Sequence, residues 1–275
     1  MPDRIDIDTG TTHLLCSIRE GVAVLTLNRP EARNALSPEL SAAFRRMVAE
    51  RGADDRVGAF LITGAGKAFC AGGDVKGMGA RRATAATMTE AERIADLQER
   101  QRGLTGGLVA ARKPTVAALA GAAAGAGLAL ALACDIRIAA TSAFISTGYA
   151  RIGLSGDYGI AWLLTRAVGS PRARELMFTS ERVDAATCER MGIFNRVVPD
   201  EALESQAFAF AAKLAQGPRR ALALMKDNLD EAATIDYATA LDREAVRQVE
   251  TWSTADHKEA VQAFVEKRKP VFKGV

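Results

Sequence analysis

Only two histidines, His13 and His257, occur in 275 residues, and the four cysteines, Cys16, Cys70, Cys134 and Cys188, stand far apart without a C-x-x-C pair. This leaves little from which to build a metal site and no disulfide framework, so a reduced, cytosolic, metal-free protein is expected. Excess charge of one sign is lacking too. The 36 basic and 33 acidic side chains leave a net charge of +3, which gives no dense field for a polyanion, and nucleic acid is not favoured as a partner. Residues 1–10 are polar and carry Asp3, Asp6 and Asp8, the wrong chemistry for a signal peptide. Residues 115–134 lack charge altogether and are about as long as a bilayer span. Their content is mainly Ala and Gly, weak in transfer free energy, so they read as a strand, a glycine turn and a buried helix rather than a membrane span.

What is present is the composition of a globular chain, with 48% hydrophobic and 25% charged residues, enough for one large domain or a domain with an appendage. Residues 14–19 and 22–27 are β-leaning runs parted by Glu20 and Gly21, which predicts a hairpin. Ser37, Pro38 and Glu39 supply an N-cap, a first-turn proline and an early acid. Leu40, Phe44, Met47 and Val48 recur on one face behind them, which predicts a helix packed on a sheet. An apolar strand over 57–63 runs into residues 64–74, too rich in glycine for regular structure. Thr89 and Glu92 predict a capping box ahead of a helix striped with Ile94, Leu97, Leu104 and Leu108. Strand 115–119, turn 120–125, a helix of small residues ending near Cys134 and strand 136–139 follow. Strands alternating with helices predict an α/β fold. Beyond about residue 200 the strand signals stop. Helices are expected over 201–216, 219–233, 237–252 and 256–269, so residues 1–200 read as a core and 201–275 as a helical region. No repeat of fixed period is visible.

Four motifs agree in order and spacing. They are Leu27, Asn28, Arg29, Pro30, Glu31, Ala32, Arg33, Asn34, Ala35 and Leu36; residues 64–75; residues 114–135; and Ala263, Phe264, Val265, Glu266, Lys267 and Arg268. In these the chain resembles the crotonase, or enoyl-CoA hydratase/isomerase, family along nearly its whole length. The resemblance implies a spiral of ββα turns, C-terminal helices that build a homotrimer or hexamer, and an acyl-CoA or enoyl-CoA substrate whose CoA is part of the thioester, with no separate cofactor. It also implies CoA or acyl contacts at Arg29, Ala32, Phe69, Ala71, Gly72, Gly73, Asp74 and Val75, and across a subunit boundary at Phe264 and Lys267. The oxyanion-hole amides fall by this matching on Ala71 and Ala126. Two fixed backbone donors stabilise a thioester enolate most when its charge is largest. Gly125 and Gly127 flank Ala126 where a helix begins, so the positive end of that helix also faces the oxyanion.

Hydration of an enoyl thioester needs a positioned water and a proton for the α-carbon, which the family's hydratases supply through two glutamates. At the matching positions this chain has Ala129 and Tyr149. Alanine cannot titrate, and a phenol is a poor base near neutral pH. Asp157 matches the acid/base aspartate of the family's dienoyl-CoA and ring-opening epoxide-type isomerases. From the residues alone it is equally an N-cap for the helix carrying Trp162, Leu163 and Leu164. One base can take a proton from one carbon and return it to another, so isomerisation is expected over hydration. The alternatives are a hydratase with a re-sited acid/base group and an acyl-CoA-binding protein without turnover. Cys70 has no histidine partner in the sequence and reads as a small core side chain. Arg81, Arg82, Arg93, Arg100, Arg102 and Arg112, interspersed with Asp96 and Glu99, read as a solvated helix rather than an RNA surface.

Overall fold

The computed structural model describes residues 4–74 and 87–274. Numbered in chain order, strands β2 (Leu14–Arg19) and β3 (Val22–Leu27) form the hairpin through Glu20-Gly21, and β1 (Ile5–Ile7) adds an antiparallel edge. From β3 onward the sheet is parallel. It continues through β4 (Ala59–Gly64), β6 (Thr115–Leu119), β8 (Ile136–Ala140) and β11 (Arg196–Val198), in the order β1-β2-β3-β4-β6-β8-β11. A second sheet is built from very short strands, β5 (Ala68–Cys70), β7 (Ala122–Ala124), β9 (Phe144–Ser146) and β10 (Val183–Asp184), in the order β10-β9-β7-β5.

The chain visits the two sheets alternately, β4 then β5, β6 then β7, β8 then β9, and a helix returns it each time. This is a spiral of ββα turns. Unequal returns hide the repeat in the sequence. After β5 comes α2 (Glu90–Ala110, 21 residues), after β7 comes α3 (Ala126–Leu132, 7 residues), and after β9 comes α4 (Ile160–Thr179, 20 residues), which is broken at Gly169. Helix α1 (Pro38–Gly52) joins β3 to β4, with the Ser37 side chain accepting from the Leu40 N–H at its start. Further on lie α5 (Ala185–Met191), α6 (Leu203–Ala215), α7 (Arg219–Ala232), α8 (Tyr237–Trp252) and α9 (Ala255–Val265).

Both faces of the large sheet are covered, which is why its parallel strands read as unbroken apolar runs rather than as alternation. On one face Leu25, Phe60, Ile62 and Ala117 meet Phe44 and Met47 of α1, Leu104 and Leu108 of α2 and Leu128 of α3. On the other, Val22, Leu61, Val116 and Ile138 lie under Ala207, Ala211 and Ala215 of α6. Helix α6 therefore belongs to the core's covering layer, although it follows residue 200. Beyond it α7 buries only Leu224 and Lys226, α8 buries nothing, and α9 buries only Asp256 and Ala263.

Two expected boundaries move for local reasons, and one expected apolar stripe is only partly buried. The strand expected from Val57 starts at Ala59, because the Val57 N–H closes a turn on the Asp54 carbonyl. Ile94 is exposed, so the apolar stripe of α2 is buried only in its second half. The last helix stops at Val265 rather than Lys269. Lys267 adopts a left-handed φ of 54° and the Arg268 N–H turns back to the Ala263 carbonyl at 3.0 Å, a Schellman-type stop. The charge-free run 115–134 is divided among β6, β7 and α3, and among the described residues no helix is long and apolar enough to cross a membrane.

Candidate active site

Strands β5 and β7 are parallel neighbours, so the two glycine-rich segments they belong to lie side by side. Asn34, wholly buried, fastens the first segment to the turn before α1. Its Oδ1 accepts the Arg29 N–H at 2.9 Å, and its Nδ2 donates to the carbonyls of Ala65 (2.9 Å) and Ala68 (2.8 Å). Arg29 Nη1 donates to the Ala35 carbonyl at 2.8 Å and to Asp74 Oδ2 at 2.9 Å, and the Leu36 N–H donates to the Gly72 carbonyl at 2.8 Å. Arg29 and Asp74, expected at the CoA, thus pair with each other and brace the loop. Ala32, half-buried, closes the short 3-10 turn Pro30–Ala32 beside them.

The second segment presses against the first. A Cβ added to Gly127 would stand 2.2 Å from the Cys70 carbonyl, and one added to Gly72 would stand 3.5 Å from the Ala126 nitrogen. Gly125, at φ 50° and ψ −125°, adopts a backbone conformation open to glycine, and the chain enters α3 through it. The Ala126 N–H heads that helix and has no acceptor among the described residues. Buried amides are almost always paired, so an unpaired one here marks a place for an acceptor from outside the chain.

The matching amide on the first loop is not that of Ala71, and the expectation is corrected. The Ala71 N–H donates to the Arg33 carbonyl at 2.9 Å and is consumed inside the fold. Gly72 donates towards the Cys70 sulfur. The Gly73 N–H has no acceptor among the described residues, which makes it the open donor of this loop. The Phe69 side chain is wholly buried in the core, so only its backbone is left to face a ligand. Val75 lies outside the described residues, as do Arg81 and Arg82. Phe264 is exposed on α9 and Lys267 follows it; the helix packs mainly on α8, so this chain alone does not bring either to the loops.

Ala129 is buried in α3 and offers no titratable group. Tyr149 is buried, and its hydroxyl donates to Asp157 Oδ1 at 2.7 Å. The hydroxyl and Cζ of Tyr149 each lie 3.9 Å from where a Gly125 Cβ would stand, so the phenol borders Gly125, with Asp157 behind it. The Asp157 side chain is not a helix cap. Helix α4 has Gly159 at its N-cap with no side-chain cap, and Asp157 lends only its backbone carbonyl to the Ile160 N–H at 3.2 Å.

Burial pushes the Asp157 carboxyl above the usual carboxylate range, against the Tyr149 hydrogen bond and the positive charge of Arg100. Burial first, and then the Asp157 charge, push the Tyr149 phenol up, so it stays protonated as a donor. The Cys70 thiol, pushed up to about 12 by burial, is no nucleophile. Sequence reasoning placed Gly73 at the ligand but missed that its amide is the open donor, and it missed the bracing role of Asn34 and the Tyr149–Asp157 contact. A buried asparagine in a turn was the one available signal.

The sequence model described as Enoyl-CoA hydratase/isomerase matches residues 17–275. A "Probable enoyl-CoA hydratase" of Rhodobacter capsulatus is 40% identical over 261 residues, 94% of this chain and 96% of that protein. The "1,2-epoxyphenylacetyl-CoA isomerase" of Escherichia coli is 36% identical over 261 residues, 95% and 98% of the two chains. The crystal structure of an enoyl-CoA hydratase from Bacillus anthracis superposes with a TM-score of 0.87 at 30% identity, covering 96% of this chain and 100% of that one. With relatives aligned end to end on one and the same ββα spiral, this chain belongs to the enoyl-CoA hydratase/isomerase family of the crotonase superfamily.

Proposed function

We propose that this protein binds an enoyl-CoA thioester and shifts its double bond, with Asp157 as the single base. The amides of Gly73 and Ala126 hydrogen-bond the thioester oxygen. Asp157 takes a proton from the α-carbon, the C–H electron pair enters the enolate, and the charge gathers on that oxygen, where fixed donors stabilise it most. The same carboxyl then returns the proton to the γ-carbon. The observation that carries this reading is the Asp157 carboxylate. It is half-buried, makes no ion pair among the described residues, and stands behind the Tyr149 phenol that borders Gly125. The other acid at the loops, Asp74, is held by Arg29. Ala129 leaves no second acid on α3 to activate water. Similarity to an isomerase supports this reading, and the higher identity to a hydratase supports a second one, hydration driven by Asp157 alone.

The test uses vinylacetyl-CoA, followed as it becomes crotonyl-CoA, alongside hydration of crotonyl-CoA. We expect isomerisation to outpace hydration, and Asp157→Asn to slow isomerisation about a hundredfold or more while acyl-CoA binding, read by calorimetry, persists. Hydration outpacing isomerisation in the wild type, or wild-type turnover in Asp157→Asn, would overturn it. The proposal extends to assembly: the uncovered faces of α7, α8 and α9 join in a trimer or hexamer, which carries Phe264 and Lys267 to a neighbour's CoA.

A further inference from the structure

Tyr149 and Asp157 stand at opposite ends of the segment between β9 and α4, and both backbones are anchored. The Leu154 N–H donates to the Tyr149 carbonyl at 3.0 Å and the Ala150 N–H to Ser180 Oγ at 3.2 Å, while the Tyr158 N–H donates to Gln101 Oε1 of α2 at 2.7 Å. Between these anchors the phenol meets Oδ1 of Asp157, and Oδ2 has no donor among the described residues. The titratable and charged groups that face the pair there are Arg100 of α2 and Tyr158 of the same segment.

We propose that Tyr149 is a positioning residue for Asp157: by occupying Oδ1 it keeps the carboxylate ionised and leaves Oδ2 as the oxygen that takes the substrate proton. This rests on Asp157 being the base. In the forward step the substrate C–H bond breaks, its electron pair enters the enolate, and an Oδ2–H bond forms; the return step gives that proton back. The phenol keeps its own proton throughout. Burial favours the protonated carboxyl, and the Tyr149 hydrogen bond and Arg100 oppose it. A donor that bonds the charged form holds the carboxyl lower than burial alone would leave it. Removing that donor therefore lets Asp157 titrate higher, and the base is lost earlier as the pH falls.

The experiment is the pH–rate profile for isomerisation of a chain-length series of β,γ-unsaturated acyl-CoAs beginning with vinylacetyl-CoA. Wild type, Tyr149→Phe and Asp157→Asn are compared. For Tyr149→Phe we expect the acid limb to move up by about one pH unit, with KM unchanged and turnover regained on the alkaline side. A merely structural tyrosine would not move the limb. An unmoved limb beside an inactive Asp157→Asn overturns the positioning role and leaves the base assignment standing; wild-type turnover in Asp157→Asn overturns both. Should a melting scan show Tyr149→Phe unfolded, a ring-fluorinated tyrosine placed at 149 replaces it. As a stronger donor of nearly the same size it moves the limb to lower pH, and an unmoved limb there also overturns the proposal.

Discussion

Asp157 is an acid placed where burial disfavours its charge, and this links its titration to stability. Its carboxyl titrates above the ordinary value in the folded chain. The stability contributed by its protonated form is therefore full below the unfolded value and lost as the pH rises through the folded one. Asp157→Asn removes that loss and keeps an acceptor for the Tyr149 hydroxyl. We expect this variant to melt at or above the wild-type temperature near about pH 7, with the advantage shrinking towards about pH 4; a lower melting temperature at neutral pH would make the residue structural. The sequence could not separate cap from acid, because an aspartate just ahead of a helix suits both. In the fold the side chain makes no cap and accepts instead from a tyrosine eight residues away. Ala71 and Gly73 pose the same difficulty. Which of their amides stays open depends on the Arg33 carbonyl, and Arg33 and Asn34 both sit at positive φ, a backbone detail their residue types do not announce.

At the scale of elements, what was legible was what is long. The β2–β3 hairpin, the capped starts of α1 and α2 and the limits of α8 all follow from period and caps. Strands β5, β7 and β9 have three residues each, too few to show alternation, and the segments that hold β5 and β7 read as a glycine-rich loop and a turn. Yet these strands bring the two loops together. Asn34 is the bolt between the first loop and the turn before α1, with three hydrogen bonds made from a wholly buried side chain. Asn34→Ala strands the Arg29 N–H and the carbonyls of Ala65 and Ala68. We expect a loss of at least about 2 kcal/mol in denaturant unfolding, together with weakened acyl-CoA binding as the loops part. Unaltered stability would mean that neighbouring groups or water replace those bonds.

The whole molecule leaves apolar surface bare along its last three helices. Leu229 is 73% exposed, Val246 69%, Phe264 85% and Val265 72%. Faces of this kind are normally covered by another chain. We expect a trimeric or hexameric mass in solution, and a smaller mass for Val246→Asp in α8; a wild-type monomer at micromolar concentration would count against assembly. The α/β class and the family were readable from the sequence, because the motifs are local. The covering role of α6 was not, because its alanines resemble those of any helix until the sheet beneath them is known.

The four cysteines lie in β2, in β5, just after α3 and in α5, all unpaired and buried. Burial pushes their thiols up to about 11 for Cys16 and about 12 for Cys70, Cys134 and Cys188. A thiol so placed reacts only while its surroundings are open. The protein therefore carries four native clocks of its own breathing, one in the hairpin, one beside the first glycine-rich loop, one past the C-terminal end of α3 and one near the margin of the small sheet. Modification at a single shared pace marks a body that opens all at once, and a fast Cys188 marks a fold that loosens first at its far end.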